Sequence, residues 1–367
     1  MKIVHITNHL KVGGISSYVR DYAVFLKKDN HNVWVCSSGG DVEKELIKND
    51  VQHFYVPLNT KSILHPKIII SAIKISNMVK ENKIQVIHSH THTTQVCSSI
   101  VSKICHIPHL STCHGFFRKN IGRRLFPCWG KYVVAISPAV KSTLINNWHL
   151  REEKIKLIST GIDTSRFKPT DSNGKKGLKT RFGFDKWKYT VGTLGRLSPV
   201  KGIRWLIEAI PLIPCDAGCV IAGDGPEKES LKRLVKKLNI ENRIIFIEKN
   251  FEPEHILPLF DIYVAPSISE GLGLSVLEAI SSGVPVIGTR VGGIQDIIKN
   301  KQTGLLVEPK NPRAIADAIN TYIKSPKEAE KISKDAFEYV RENFSIQNSC
   351  SKLVDLYQTL LGLSETP

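Results

Sequence analysis

Glu270 and Glu278 lie in the segment PSISEGLGLSVLEAISSGVPVIGT (266–289), among residue types that together suit a phosphorylated sugar. Glu270 falls in a loop leaving an expected strand. Gly271 and Gly273 let backbone amides come close to a ligand, and a helix is expected to begin near Leu274 with Glu278 on its first turns. A carboxylate accepts hydrogen bonds from two hydroxyls, so each glutamate suits a vicinal diol of a sugar or ribose. The glycines and the helix N-terminus suit the phosphates between them. Glutamates so spaced are also ordinary surface charge, but Glu278 sits in an otherwise apolar helix, where an unpaired carboxylate is costly.

Other candidates recur at the same kind of place, just after a β-branched run. GRLSPVKG (195–202) sets Arg196 and Lys201 around a turn that ends in a helix. Two cations there form a site for a pyrophosphate, Arg by directed hydrogen bonds and Lys as a point charge; they are otherwise solvated surface cations. GDGP (223–226), with Gly223 and Gly225, is a second glycine-rich loop opening a helix, or a plain turn. Gly13 and Gly14 separate the first expected strand from its helix, where amides can cradle an anion, although such a turn is as often structural. In HSHTHT (88–93) the alternating His88, His90 and His92 have metal-ligand chemistry, but they lie after a strand without a nearby carboxylate and are expected to hold no metal.

These loops need strands and helices to hold them. Short apolar runs alternate with amphipathic stretches throughout, the pattern of parallel sheets covered by helices on both faces. Seven strands are expected in residues 1–165, starting with KIVHIT (2–7), and six more in residues 188–344, starting with TVGTLGRL from Thr190. Residues 166–187, rich in Lys, Gly and turn formers, are expected to be a linker, and 345–367 a closing helix. The fold class is therefore α/β, with two doubly wound, Rossmann-like domains. Ligands of such sheets bind beyond the carboxyl ends of the strands, where the candidate loops lie.

Composition narrows the function. With 367 residues, 41% hydrophobic and 23% charged, the chain has material for two cores and is not a disordered or fibrous protein. No apolar run approaches a membrane span and the start does not read as a signal peptide, so a cytoplasmic location is expected. Eight scattered cysteines without paired spacing are expected to be reduced thiols. The net charge of +17 favours anionic partners: nucleic acid, an anionic membrane surface or a phosphorylated ligand. No helix-turn-helix, RNA-binding or zinc-finger signature accompanies the charge, and a nucleic-acid-binding protein is the remote alternative.

The Gly13–Gly14 loop, GRLSPVKG, GDGP, Glu270 and Glu278 within EGLGLSVLE, SGVPVIGT and VGG (291–293) occur in the order seen in glycosyltransferase family 4, the glycosyltransferase group 1 domain. The chain resembles that family over nearly its whole length. The resemblance implies the two-domain GT-B fold and transfer of a sugar from a nucleotide-sugar donor with retention of anomeric configuration. It further implies that Arg196 and Lys201 bind the diphosphate, Glu278 the ribose hydroxyls, and Glu270 with the backbone of Gly271, Leu272, Gly273 and Leu274 the donor sugar. Gly14 would approach the phosphates from the other domain, and His114, in STCHG, matches the family's histidine beside the donor sugar. The chain departs from the family at TGID (160–163), where Asn-Gly-Val-Asp is frequent, and at Gln295 and Asp296, where Pro-Glu is common.

No Asp-x-Asp occurs in the chain, so no cofactor and no metal is expected, Arg196 and Lys201 standing where a metal would neutralise the diphosphate. The acceptor is expected to be a lipid-linked or saccharide molecule in surface polysaccharide or lipopolysaccharide synthesis, or alternatively a small soluble sugar, sugar phosphate or metabolite. GFFRKNIGRRLFPCWGK (115–131) mixes Arg118, Lys119, Arg123 and Arg124 with aromatics and has no acidic residue. It is expected to attach the protein peripherally to the cytoplasmic face of an anionic membrane, or else to cover the domain core with its aromatics.

Overall fold

The computed structural model describes residues 1–60, 62–117, 121–170, 172–248 and 251–363. It divides into two compact units, the first of residues Met1–Gly161 with Ile346–Pro367, the second of Ile162–Ser345. The expected Arg118 and Lys119 lie outside the described residues.

The first unit is built on β1 (Lys2–Ile6), β2 (Asn32–Ser37), β3 (Gln52–Tyr55), β4 (Val86–Ser89), β5 (His109–Cys113), β6 (Val133–Ala135) and β7 (Ile155–Leu157). They form one parallel sheet in the order β3-β2-β1-β4-β5-β6-β7. Side chains alternate across it, as the pleat requires. On one face Ile3, Val33, Val35, Val86 and Leu110 meet Val19, Tyr22 and Leu26 of the helix Gly14–Lys28, together with Leu353 and Tyr357 of the C-terminal helix Ile346–Leu361. On the other, Val4, Ile6, Trp34 and Ile87 meet Ile68, Ile75 and Val79 of the helix Lys67–Asn82 and Val101 of the helix His92–Cys105. The closing helix is thus one wall of the first core, because its apolar stripe has that face to cover.

The second unit holds β8 (Tyr189–Leu194), β9 (Ala217–Ala222), β10 (Ile244–Ile247), β11 (Ile262–Ala265), β12 (Val286–Thr289) and β13 (Leu305–Val307), again all parallel, in the order β10-β9-β8-β11-β12-β13. The two doubly wound α/β sheets are those expected. The linker expected at 166–187 is not one. It folds into the second unit with a helix at Ser172–Arg181 and with Phe167, Phe184 and Trp187 buried. Arg166 pairs with Glu254, and Lys175 and Lys179 pair with Asp261, whose carboxylate these cations hold below its ordinary range although burial opposes them. Trp187 occupies the space over Gly218, where a Cβ would lie 1.9 Å from the indole. The joins between units are at Gly161–Ile162 and Ser345–Ile346.

Candidate active site

In the second unit the candidate residues gather at the carboxyl ends of β8, β9 and β11. The turn after β8 brings Lys201 back over Gly195, whose missing Cβ would lie 3.7 Å from Lys201 Cε. Gly202, at φ 62°, ends that turn and starts the helix Ile203–Ala209, and its Cβ would strike Pro266 O at 2.2 Å, so only glycine fits. Ile268 N donates to Val200 O, tying the β11 loop to this turn. The result is an ion pair in which Lys201 Nζ donates to Glu270 Oε2 at 2.6 Å, with Ser267 Oγ 3.3 Å from the same oxygen.

Gly273, at φ 106°, is the N-cap of the helix Leu274–Ser281 and needs the left-handed backbone that glycine adopts without strain. The helix carries Glu278 inward, where it is 8% exposed. Arg196, by contrast, is exposed at the rim of the loop. Gly223 and Gly225, expected to approach the donor, have a nearer reason to be glycine: a Cβ on either would lie within 2.3 Å of Gly195 O or Leu197 O. They let the β8 and β9 loops touch, with Leu197 N donating to Asp224 O. Gly271 and Leu272 are buried against the following VGG loop, where a Cβ on Gly293 would come within 2.4 Å of Leu272 Cα.

Sequence reasoning missed Tyr263. It stands on β11 beneath these loops, donating its hydroxyl to Leu194 O at 3.3 Å. Burial pushes its phenol well above the ordinary range, Ser275 opposes by a hydrogen bond, and the charges of Glu278 and Glu270 raise it further. Tyr263, Gly195, Lys201, Ser267 and Ser275 line one small cavity. A tyrosine inside an apolar run, IYVA, was the available signal.

In the first unit Gly13 caps the helix Gly14–Lys28, its carbonyl accepting from Ser17 N, and a Cβ on Gly14 would meet nothing within 4 Å. His114 follows β5, half-buried, with Nε2 3.1 Å from His90 Nδ1. His5, His88 and His90 are buried close together, each with a ring nitrogen within 4.8 Å of the others. Both nitrogens of His88 and of His90 already have hydrogen-bond partners: Tyr357 and Thr112 for His88, His5 and His114 for His90. Burial pushes His5 and His114 down to about 3, and His88 and His90 well below the ordinary imidazole range. His92 points elsewhere, with Nε2 2.9 Å from Phe126 O.

The basic segment corrects one expectation. Arg123 is not a surface cation: it is 2% exposed, with its guanidinium 4.0 Å from the Phe117 ring and 4.6 Å from Trp129, and Nη1 donating to Gln95. Burial lowers it to about 10. The short helix Ile121–Leu125 turns Arg123 inward and leaves Ile121, Arg124 and Leu125 exposed. Aromatic faces and an amide replace the water that a buried guanidinium loses.

Two doubly wound parallel α/β units are the architecture of GT-B glycosyltransferases, and the second carries a lysine–glutamate pair and glycine loops at its strand ends. The chain belongs to the group 1, family 4 glycosyltransferases: the family model described as Glycosyl transferases group 1 matches residues 175–339, and Glycosyltransferase Family 4 matches residues 12–166. The Escherichia coli UDP-Gal:alpha-D-GlcNAc-diphosphoundecaprenol alpha-1,3-galactosyltransferase is 25% identical over 97% of this chain and 96% of its own. TuaC of Bacillus subtilis (strain 168), a glycosyltransferase named for teichuronic acid biosynthesis, is 30% identical over 76% of this chain and 71% of its own. The crystal structure of a glycosyltransferase from Rickettsia africae ESF-5 matches with a TM-score of 0.88 at 25% identity, covering 99% of both chains.

Proposed function

We propose that this glycosyltransferase moves a hexose from a nucleoside-diphosphate sugar to a lipid-linked saccharide with retention of configuration and without a metal. The observation that carries the reading is the Lys201–Glu270 pair over Gly195 in a chain of this family. Breaking the sugar–phosphate bond leaves negative charge on the diphosphate. Lys201, already oriented by Glu270, and Arg196 at the rim stabilise that charge without reorganising, and Glu270 accepts from the sugar hydroxyls. Glu278 accepts from the ribose diol. The E. coli relative's UDP-galactose and diphosphoundecaprenol-linked acceptor make uridine nucleotides and polyprenyl diphosphate saccharides the first to try.

Thermal-shift binding of UDP, GDP, ADP, CDP and dTDP and their sugars tests the donor site. A shift with one nucleotide that Glu278→Ala weakens supports it; no shift with any, from folded protein, overturns it. Turnover unchanged by EDTA supports metal independence, and loss restored by a divalent ion overturns it.

We further propose membrane attachment through exposed aliphatics outside 115–131 as well as within it. Ile69, Ile70 and Ile73 are exposed on the helix Lys67–Asn82 beside the exposed Lys74, and Ile121, Leu125 and Phe126 are exposed beside Arg124. Exposed aliphatics with cations suit an anionic membrane interface. Among the described residues no helix is long and apolar enough to cross a membrane. Sedimentation with phosphatidylglycerol vesicles is expected, weakened by Ile69→Ser with Ile73→Ser; failure to sediment at moderate salt overturns attachment.

A further inference from the structure

Three imidazoles, those of His5, His90 and His114, form a hydrogen-bonded row that ends at His114. His5 Nδ1 is 2.9 Å from His90 Nε2, and His90 Nδ1 is 3.1 Å from His114 Nε2. The row follows from strand alternation: His5 on β1 is paired in register with His88 on β4, and His90, two residues on, returns to the same face. His5 and His90 are stacked at 5.2 Å between ring centroids, and Tyr18 lies against both His90 and His114. His88 and Tyr357 pack beside the row. The histidine–carboxylate pairs of the described residues, His31–Asp29, His53–Glu43 and His255–Glu252, are all elsewhere.

A neutral imidazole has one N–H and one bare nitrogen, so the proton positions along such a row are coupled. Each N···N contact needs one proton, and all of them must point the same way. The direction is set at the far end. His5 Nε2 is buried with no hydrogen-bond partner among the described residues, and His5 is fully buried. An orphaned buried N–H is rarer than an orphaned acceptor. His5 therefore keeps Nε2 bare and carries its proton on Nδ1, which donates to His90 Nε2. His90 then carries its proton on Nδ1 and donates to His114 Nε2. His114 is left with its proton on Nδ1, which has no partner among the described residues.

We propose that His5 and His90 are positioning residues that fix His114 as the Nδ1–H tautomer, so that it offers a donor, not a lone pair, to the ligand. The role of His114 beside a donor sugar rests on the function proposed above; the tautomer does not. A donor there binds a sugar or phosphate oxygen and cannot take a proton from the acceptor hydroxyl. Free histidine in water prefers the proton on Nε2, so the row holds His114 against its own preference.

Long-range proton–nitrogen correlation on full-length protein labelled with ¹⁵N-histidine, without any nucleotide, reads the tautomer directly and is independent of whether a donor binds. His114 is expected to show a protonated Nδ1 and a bare Nε2, as are His5 and His90. In His90→Ala, water reaches His114 Nε2 and the ring is expected to shift toward Nε2–H. His5→Ala relieves the orphaned nitrogen and is expected to shift His114 without touching it, which keeps the test open should His90→Ala not fold. A wild-type His114 protonated on Nε2, or on both nitrogens, overturns the proposal. So does a His114 that keeps the Nδ1 proton in both folded variants, or tight zinc in untagged protein with the row as its ligands.

Discussion

Arg196 and Lys201 carry the same charge but stand in different surroundings, so their removal should read differently. Arg196 is exposed, and Arg196→Ala is expected to leave the melting temperature in place while turnover falls by about 10²–10³, the usual cost of a lost charge-stabilising donor. Lys201 neutralises Glu270, whose side chain is only 19% exposed. Lys201→Met strands that carboxylate, so it is expected to lower both turnover and the melting temperature, while Lys201→Met with Glu270→Gln restores the melting temperature but not the turnover. Melting and turnover on the three proteins check this; equal melting of Lys201→Met and wild type would show that the pair contributes nothing to the fold. Arg196, Lys201 and Glu270 stand out in the sequence because each adjoins a loop glycine, and Glu278 because it is the one charge in an apolar helix. Tyr263 was not, since a tyrosine within a strand has no loop signal and its hydroxyl's partner, Leu194 O, is 69 residues away in the chain.

The loops that hold those charges depend on close backbone approaches. Gly202→Ala adds a Cβ at φ 62° and sets it 2.2 Å from Pro266 O, so the turn must move and take Lys201 off Glu270. The left-handed backbone alone costs roughly 1–2 kcal/mol for a non-glycine residue, and the clash adds to it. Melting is expected to fall by several degrees and nucleotide affinity with it; a variant that binds nucleotide like wild type would mean that the β8 turn does not position the site. The strands were readable because short runs rich in β-branched residues alternate with amphipathic stretches, and both sheets have the expected strands. The segment 166–187 was misread because lysines and glycines mask the aromatics that anchor it, and Trp187 finds its place only because Gly218, on β9, leaves room. Arg123 was misread for a related reason. Composition marks 115–131 as basic and aromatic, but only the turn of Ile121–Leu125 decides that the cation goes in and the aliphatics out. Arg123→Ala is therefore expected to lower the melting temperature without changing vesicle binding, whereas Arg124→Ala weakens vesicle binding and leaves melting alone. Paired melting and sedimentation decide it, and the reverse pattern would restore Arg123 to the surface.

At the scale of the molecule, the buried histidines belong to one unit. All 13 histidines except His255 lie in the first unit, and His255 is exposed. His5 and His109 are pushed down to about 3 by burial from an ordinary value of 6.5. Between those values the unfolded chain binds a proton that the folded chain refuses, so stability is full above 6.5 and declines as the pH falls toward 3. At pH 5 each such histidine costs about 2 kcal/mol, and His88 and His90 add to this in the same direction. In the second unit, Asp261 is held below its ordinary carboxylate value of 3.8, so its contribution is still intact at pH 5. Acid should therefore open the first unit while leaving the second closed. Amide hydrogen exchange at pH 7 and pH 5, each corrected for its intrinsic rate, is expected to show protection lost from β1, β4 and β5 but kept in β8 and β11. Equal loss in both units, or earlier loss in the second, would mean that some other group governs acid stability, because no histidine is buried there to take up the proton.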